Sequence, residues 1–288
     1  MAYNHNDKRQ KLVDIFWDTI NFIGEDEDLY NCTEYSKKET EIIPSDEYYE
    51  LEKPNREGKI KVTRYRTFEA AMRYAQSDEY SDKLIAVLNF ASATTPGGGV
   101  TKGSTAQEEC LCRCSTLYPV LSQSRLETEF YTVNRRQGNP LHSDDIIYSP
   151  DIIIIKSDED FPERLDKDEW CKTDVITCAA PNLRPQPSNK YNSEGNDNAV
   201  MISSEDLYDI HLSRAQHILN VAAGQGVEVL ILGAFGCGAF MNDPQVVARA
   251  YKDALEEYAG YFDVVEFAVY TSAFDEKNFR VFNDILGE

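Results

Sequence analysis

The chain has 288 residues, a formal net charge of 29 − 50 = −21, seven cysteines and four histidines. That length suits one large domain better than two. The acidic balance disfavours a nucleic-acid partner, since phosphate backbones are bound mainly through Lys and Arg, and no run of about 18 apolar residues predicts a membrane span.

In chain order, a helix is predicted over 8–23, with Leu12, Val13, Phe16, Trp17, Ile20 and Ile23 recurring every three to four residues. Its expected job is packing against the main domain. A polar, acidic stretch follows to about residue 60, so residues 1–75 read as a helical extension of a single catalytic domain spanning 1–288. Gly24-Glu25-Asp26-Glu27-Asp28 and Ser157-Asp158-Glu159-Asp160 read as solvated faces. Met1–Lys8 lacks a signal-peptide pattern and the odd cysteine count fits reduced thiols, so a cytoplasmic location is expected. Further helices are predicted over 67–76, 106–117, 204–223, 244–259 and 275–286. Strands are predicted over 84–91, 146–155 (interrupted by Ser149-Pro150-Asp151), 174–180, 228–233 and 264–271. Strands alternating with helices predict an α/β class. Residues 183–199, rich in Pro, Asn and Ser, read as a long loop. Within it Tyr191 is either a ligand cover or an idle loop residue. There is no internal repeat.

Pro96-Gly97-Gly98-Gly99, a seven-residue gap and Gln107-Glu108-Glu109 form the most informative stretch. Consecutive glycines let backbone approach a ligand and take dihedrals closed to other residues. They follow the strand-like run Leu84–Ala91, and in α/β sheets ligands bind beyond the carboxyl ends of strands. A glycine loop beside paired acids points to an anionic ligand held against a proton donor or acceptor. Each piece also has a plainer reading. The glycines fit a simple turn, Thr105-x-x-Glu108 matches a capping box, and Glu109 fits a solvated helix charge.

A second strand–loop–helix unit repeats the order: Val227–Leu232, then Gly233-Ala234-Phe235-Gly236-Cys237-Gly238-Ala239-Phe240, then Asn242 or Asp243 as cap with Pro244 in the first turn. A helix N-terminus offers unpaired N–H groups and a positive dipole end, which suit phosphate without side-chain cations. Two such loops on neighbouring strands would grip a diphosphate from both sides. Phe240 fits either a core position or a contact with a sugar or base. Gly236-x-Gly238-x-x-Met241 misses the third glycine of the dinucleotide fingerprint, and there is no Gly-Lys-Ser/Thr loop. Cys110, Cys112 and Cys114 include no Cys-x-x-Cys pair, so no structural metal is expected.

Together, Gly97-Gly98-Gly99 with Gln107-Glu108-Glu109, and Gly236-Cys237-Gly238-Ala239-Phe240, resemble the signature and second phosphate loop of the poly(ADP-ribose) glycohydrolases. The context from Asn89-Phe90-Ala91-Ser92-Ala93 to Leu117-Tyr118 is similar to their compact microbial branch. The resemblance implies a macrodomain-like three-layer α/β/α sandwich around a mixed sheet. It also implies cleavage of ribose–ribose O-glycosidic bonds of poly(ADP-ribose), favouring chain ends. Glu109 would be the acid that protonates the leaving oxygen and then activates water, and Glu108 would orient ribose hydroxyls. Charge repulsion between the two would help keep the acid protonated. Gly97, Gly98, Gly99 and Val100 would wrap diphosphate and ribose, Gly236, Cys237, Gly238 and Ala239 would bind phosphate, and Phe240 would position ribose and diphosphate. Asn89 and Ser92 would touch the distal ribose, and Gln107 would either lie near the adenine or brace the loop. The expected partners are ADP-ribose and poly(ADP-ribose) on modified proteins, with no cofactor, no metal and a monomeric state. Two alternatives use the same pocket: a non-catalytic ADP-ribose reader, and a hydrolase of mono-ADP-ribosyl or ester linkages.

Overall fold

The computed structural model describes residues 5–54, 56–188, 198–271 and 275–287; Tyr191 lies outside them. Seven strands form one mixed sheet: β1 (Glu41–Ile43), β2 (Lys59–Thr63), β3 (Ile85–Phe90), β4 (Ile146–Ile154), β5 (Cys171–Cys178), β6 (Val229–Leu232) and β7 (Val264–Ala268). Their order is β1-β4-β5-β3-β6-β7-β2. From β5 through β3, β6 and β7 to β2 all neighbours are parallel, whereas β4 runs antiparallel to both β5 and β1.

Strand alternation divides the core into two layers, because successive side chains point to opposite faces. Ala86, Leu88, Ile176, Leu230, Leu232, Val265 and Phe267 face one way. There they meet α8 (Ser204–Gly224), α9 (Pro244–Tyr258) and α10 (Lys277–Leu286). Ile85, Val87, Val175, Val229, Ile231 and Val264 face the other way, against Phe16, Phe68, Leu111, Leu117 and Val120. Those residues come from α1 (His5–Glu25), α3 (Thr67–Ala75), α4 (Gln107–Cys114) and α5 (Leu117–Leu121). Phe16 is fully buried, worth about 2 kcal/mol of apolar transfer. The result is a three-layer α/β/α sandwich. Among the described residues, no helix is long and apolar enough to cross a membrane.

Most of the predicted elements form within a few residues of their expected ends. The interruption at Ser149-Pro150-Asp151 is a register shift in β4 between Ser149 and Ile152. Asp243 caps α9 through Gln245 N–H, with Pro244 in its first turn.

Three things differ from the sequence expectations. The solvated reading fails at Asp158, which is buried and accepts from Phe68 N at 2.9 Å, whereas Glu25, Glu27 and Asp28 are exposed as expected and Asp26 between them caps α2 (Glu27–Glu39) by accepting from Leu29 N at 3.0 Å. The buried residues of α2 are Leu29, Thr33 and Ser36, a face with one large apolar residue and therefore no hydrophobic periodicity. The first 75 residues also supply both edge strands, β1 and β2. Finally, residues 117–137 are helical almost throughout: α5, α6 (Ser124–Leu126), a π-turn (Glu127–Tyr131) and α7 (Thr132–Gln137).

Candidate active site

Strands β3 and β6 are parallel neighbours, so the loops leaving them share the carboxyl end of the sheet, where α/β folds bind ligands. Phe90 and Phe235 bridge the two loops edge to face, 5.6 Å between ring centroids. A depression lined by Arg56, Lys59, Lys83 and Asp263 lies at the opposite end, beside the starts of β2 and β7. Its Arg56 and Lys83 are already paired with Glu228 and Asp263.

The first loop is built around the two glutamates. Glu108 (3 % exposed) accepts from Ser92 N at 2.8 Å, with Asn89 Nδ2 at 3.5 Å and the Gly97 backbone beside it. Glu109 (7 % exposed) accepts at Oε1 from Gly99 N at 2.9 Å. Its Oε2 is buried and has no hydrogen-bond partner among the described residues. The capping-box reading of Glu108 therefore fails: the N-cap of α4 is Ala106, with no side-chain cap, because the Glu108 carboxyl turns away to Ser92. Nor is Glu109 a solvated helix charge.

Burial pushes both carboxyls above the usual glutamate range, and the neighbouring Glu109 charge raises Glu108 further. The cause differs from the sequence expectation. Loss of water is the largest effect on both, and charge repulsion adds to it at Glu108 but not at Glu109, where the Gly99 N–H and the Arg113 charge pull the other way.

The three glycines make room for these acids. A Cβ on Gly98 (φ +54°) would lie 2.7 Å from Glu109 Oε1 and 3.2 Å from Glu108 Oε2. One on Gly97 (φ +65°) would lie 2.7 Å from the Tyr118 ring. Their amides are spent within the protein: Gly98 N donates to Thr95 O, Gly99 N to Glu109, and Val100 N to Gly97 O. The structure directs these amides to the acids and the turn.

Val100 has its side chain fully buried in the core beneath the loop. Gln107 is a brace: Oε1 accepts from Phe90 N at 2.8 Å, while Nε2 donates to Leu88 O at 2.7 Å and Thr67 Oγ1 at 3.0 Å. It ties α4 to β3 and α3, which leaves nothing of its amide for adenine. Asn89 is buried beside Glu108, donating also to Thr177 Oγ1 at 3.2 Å. Ser92 presents its amide to Glu108 while its hydroxyl accepts from Thr95 N at 3.1 Å.

The second loop has the opposite character. Among the described residues, the amides of Gly236, Gly238, Ala239 and Phe240 meet no protein acceptor. Gly238 and Ala239 are exposed, and a Cβ on Gly238 would point into open space. Gly236 (φ +74°) must be glycine, because its Cβ would lie 2.5 Å from that of Ala180. Burial pushes the Cys237 thiol well up, so this residue offers backbone rather than a nucleophile. Phe240 is half-buried, with the Arg184 guanidinium 5.4 Å and the His142 ring 6.2 Å from its ring centre.

Sequence reading missed the support behind this loop. Asn242, considered only as a cap, is buried and donates from Nδ2 to Pro181 O at 2.7 Å and Gly236 O at 3.0 Å. Arg214 is buried on α8 and binds Asp144 at 2.7 Å and Ala179 O at 2.6 Å, fixing the end of β5. No local motif marks either residue, since both act through segments distant in sequence.

Residues 18–157 match the family model of the microbial-type PARG catalytic domain. The poly(ADP-ribose) glycohydrolase from Deinococcus radiodurans, solved in complex with ADP-ribose, is 32 % identical; the match covers 88 % of this chain and 96 % of that one, with a TM-score of 0.73. This chain belongs to the poly(ADP-ribose) glycohydrolase family. The glycohydrolase from Thermomonospora curvata is 27 % identical, covering 96 % of this chain and 100 % of that one at a TM-score of 0.81. Its complex with the inhibitor ADP-HPD aligns at 0.77, with 27 % identity over 96 % and 99 % of the two chains. No curated relative matches.

Proposed function

We propose that this chain hydrolyses the ribose–ribose O-glycosidic bonds of poly(ADP-ribose) and releases ADP-ribose. The observation that carries the reading is Glu109: a buried carboxyl, held by Gly99 N at Oε1, with no hydrogen-bond partner for Oε2 among the described residues. Burial raises its pKa and so favours the protonated form that a general acid requires. Relatives solved with ADP-ribose or ADP-HPD support the ligand class.

In this mechanism the glycosidic C–O bond breaks through an oxocarbenium-like state while Glu109 passes its proton to the departing ribose oxygen. The resulting carboxylate then takes a proton from water as that water's oxygen bonds the anomeric carbon. One residue serves both steps because they are sequential. Glu108, held by Ser92 N and the Gly97 backbone, orients ribose hydroxyls from a fixed position. The unpartnered amides of Gly236, Gly238 and Ala239 bind the diphosphate, and Phe240 packs against the sugar. We also read the chain as one catalytic domain that favours chain ends.

Two alternatives remain distinguishable, a reader without chemistry and a hydrolase of protein-linked ADP-ribose. The test is incubation with automodified polymerase and, separately, with a mono-ADP-ribosylated protein, identifying released ADP-ribose by mass. Loss of polymer with the protein-linked unit retained is the expected result. Binding without release would replace the reading with a reader.

A further inference from the structure

An anion-binding loop needs its N–H groups turned outward and its carbonyls held inward, otherwise the peptide dipoles cancel at the ligand. In the second glycine loop the side chain of Asn242 reaches two of the carbonyls, Gly236 O and Phe240 O, while Ala234 O and Gly238 O accept from the backbone N–H groups of Cys237 and Met241. Asn242 Nδ2 lies 3.0 Å from Gly236 O, 3.5 Å from Phe240 O and 2.7 Å from Pro181 O. Asn242 N also donates to Gly236 O at 3.1 Å. Three carbonyl oxygens on one side fix the donor end of this amide, so Oδ1 must point the other way, where His211 Nε2 stands at 2.9 Å.

We propose that His211, on α8, is a positioning residue for phosphate recognition: its Nε2–H locks the Asn242 amide and thereby turns the second glycine loop's N–H groups toward the ligand. The inference rests on the proposed function, and assigns to that site a residue that does not touch the substrate. If the amide rotated by half a turn, Nδ2 would face the His211 donor and Oδ1 would face the three carbonyls. Every contact in that arrangement is repulsive, so the histidine proton acts together with the carbonyls to hold the amide in one state. His211 is buried, with Phe235 edge-on to its ring at 6.2 Å, and the charged groups facing it are Arg214 and Asp144. Burial and the Arg214 charge lower its pKa to about 4, so the ring is neutral at physiological pH, and the Asn242 Oδ1 acceptor at 2.9 Å assigns its one proton to Nε2. Nδ1 is buried without a hydrogen-bond partner among the described residues, so no acceptor there favours the other tautomer.

The test compares His211→Leu, which removes the donor at similar volume, with His211→Gln, whose amide N–H reaches toward the same oxygen. KM for polymer, kcat, and calorimetric affinity for ADP-ribose and inorganic pyrophosphate are measured for variants shown to be folded by thermal melting. His211→Leu is expected to raise KM and weaken both ligands about tenfold, the usual effect of one lost buried hydrogen bond, with kcat within twofold. His211→Gln is expected to restore affinity to within threefold. Unchanged affinity in His211→Leu, or failure of Gln to rescue, overturns the proposal. If His211→Leu does not fold, nitrogen-15 NMR of the parent decides: a neutral Nε2–H tautomer at pH 7 supports the proposal and an Nδ1–H tautomer overturns it. A parent that binds ADP-ribose without hydrolysing polymer would sink the proposed activity alone. One that binds neither ligand would sink both.

Discussion

Gly98→Ala is the sharpest structural perturbation of the site. The residue has φ +54°, a conformation that costs a side-chain-bearing residue roughly 1–2 kcal/mol. The new methyl would also lie 2.7 Å from Glu109 Oε1, 3.3 Å from Glu109 Cδ and 3.2 Å from Glu108 Oε2. These carboxyls are buried and held by backbone N–H groups, so they have little room to yield. The acid must therefore leave Gly99 N or the loop must shift, and a displacement near 1 Å costs on the order of 100-fold in rate. Thermal melting should show a drop of about 2–4 °C per kcal/mol of strain. Initial rates of polymer hydrolysis should fall about 100-fold. A variant that melts with the parent and turns over within threefold of it would refute the claim that these glycines exist to seat the carboxyls.

Other predictions follow from burial. The folded protein holds both glutamate pKa values above the ordinary 4.5, so above that pH it binds more protons than the unfolded chain and loses stability as pH rises through the folded values. Glu108→Gln removes one such group, so its melting temperature should gain on the parent between pH 5 and pH 8; a shrinking gap would contradict the burial argument. Arg214→Met should strand Asp144 and the carbonyls of Ala179 and Leu141, costing about 3–5 kcal/mol in chemical denaturation. A loss below 1 kcal/mol would show that the buried pair does not hold the end of β5.

The sequence was legible where a physical signal was local and strong. Strands β3 and β6 are continuous apolar runs, α8 and α9 have the helical period, and the glycine loops follow the strands directly. Glu108 and Glu109 were identifiable by position, but not the main cause of their raised pKa values, because burial is a property of the assembled fold. The capping box misled since Thr105-x-x-Glu108 states only what Glu108 could reach, whereas Ser92 N competes for the same oxygen and wins. Edge strands β1 and β2 escaped notice because runs of three and five residues, of which only Ile43 is buried, carry too little alternation. Helix α2 lacked an apolar stripe. Gln107 was left between two roles; the structure makes it a brace, which no spacing rule encodes.

The central claim is that Glu109 donates the proton that breaks the glycosidic bond. The most direct measurement is the rate of ADP-ribose release from polymer by Glu109→Gln, with ADP-ribose affinity measured by calorimetry on the same preparation. Turnover should fall by about 10²–10⁴ while ADP-ribose binds within a few-fold of the parent. Hydrolysis at the parental rate by a variant that still binds ADP-ribose would contradict the account.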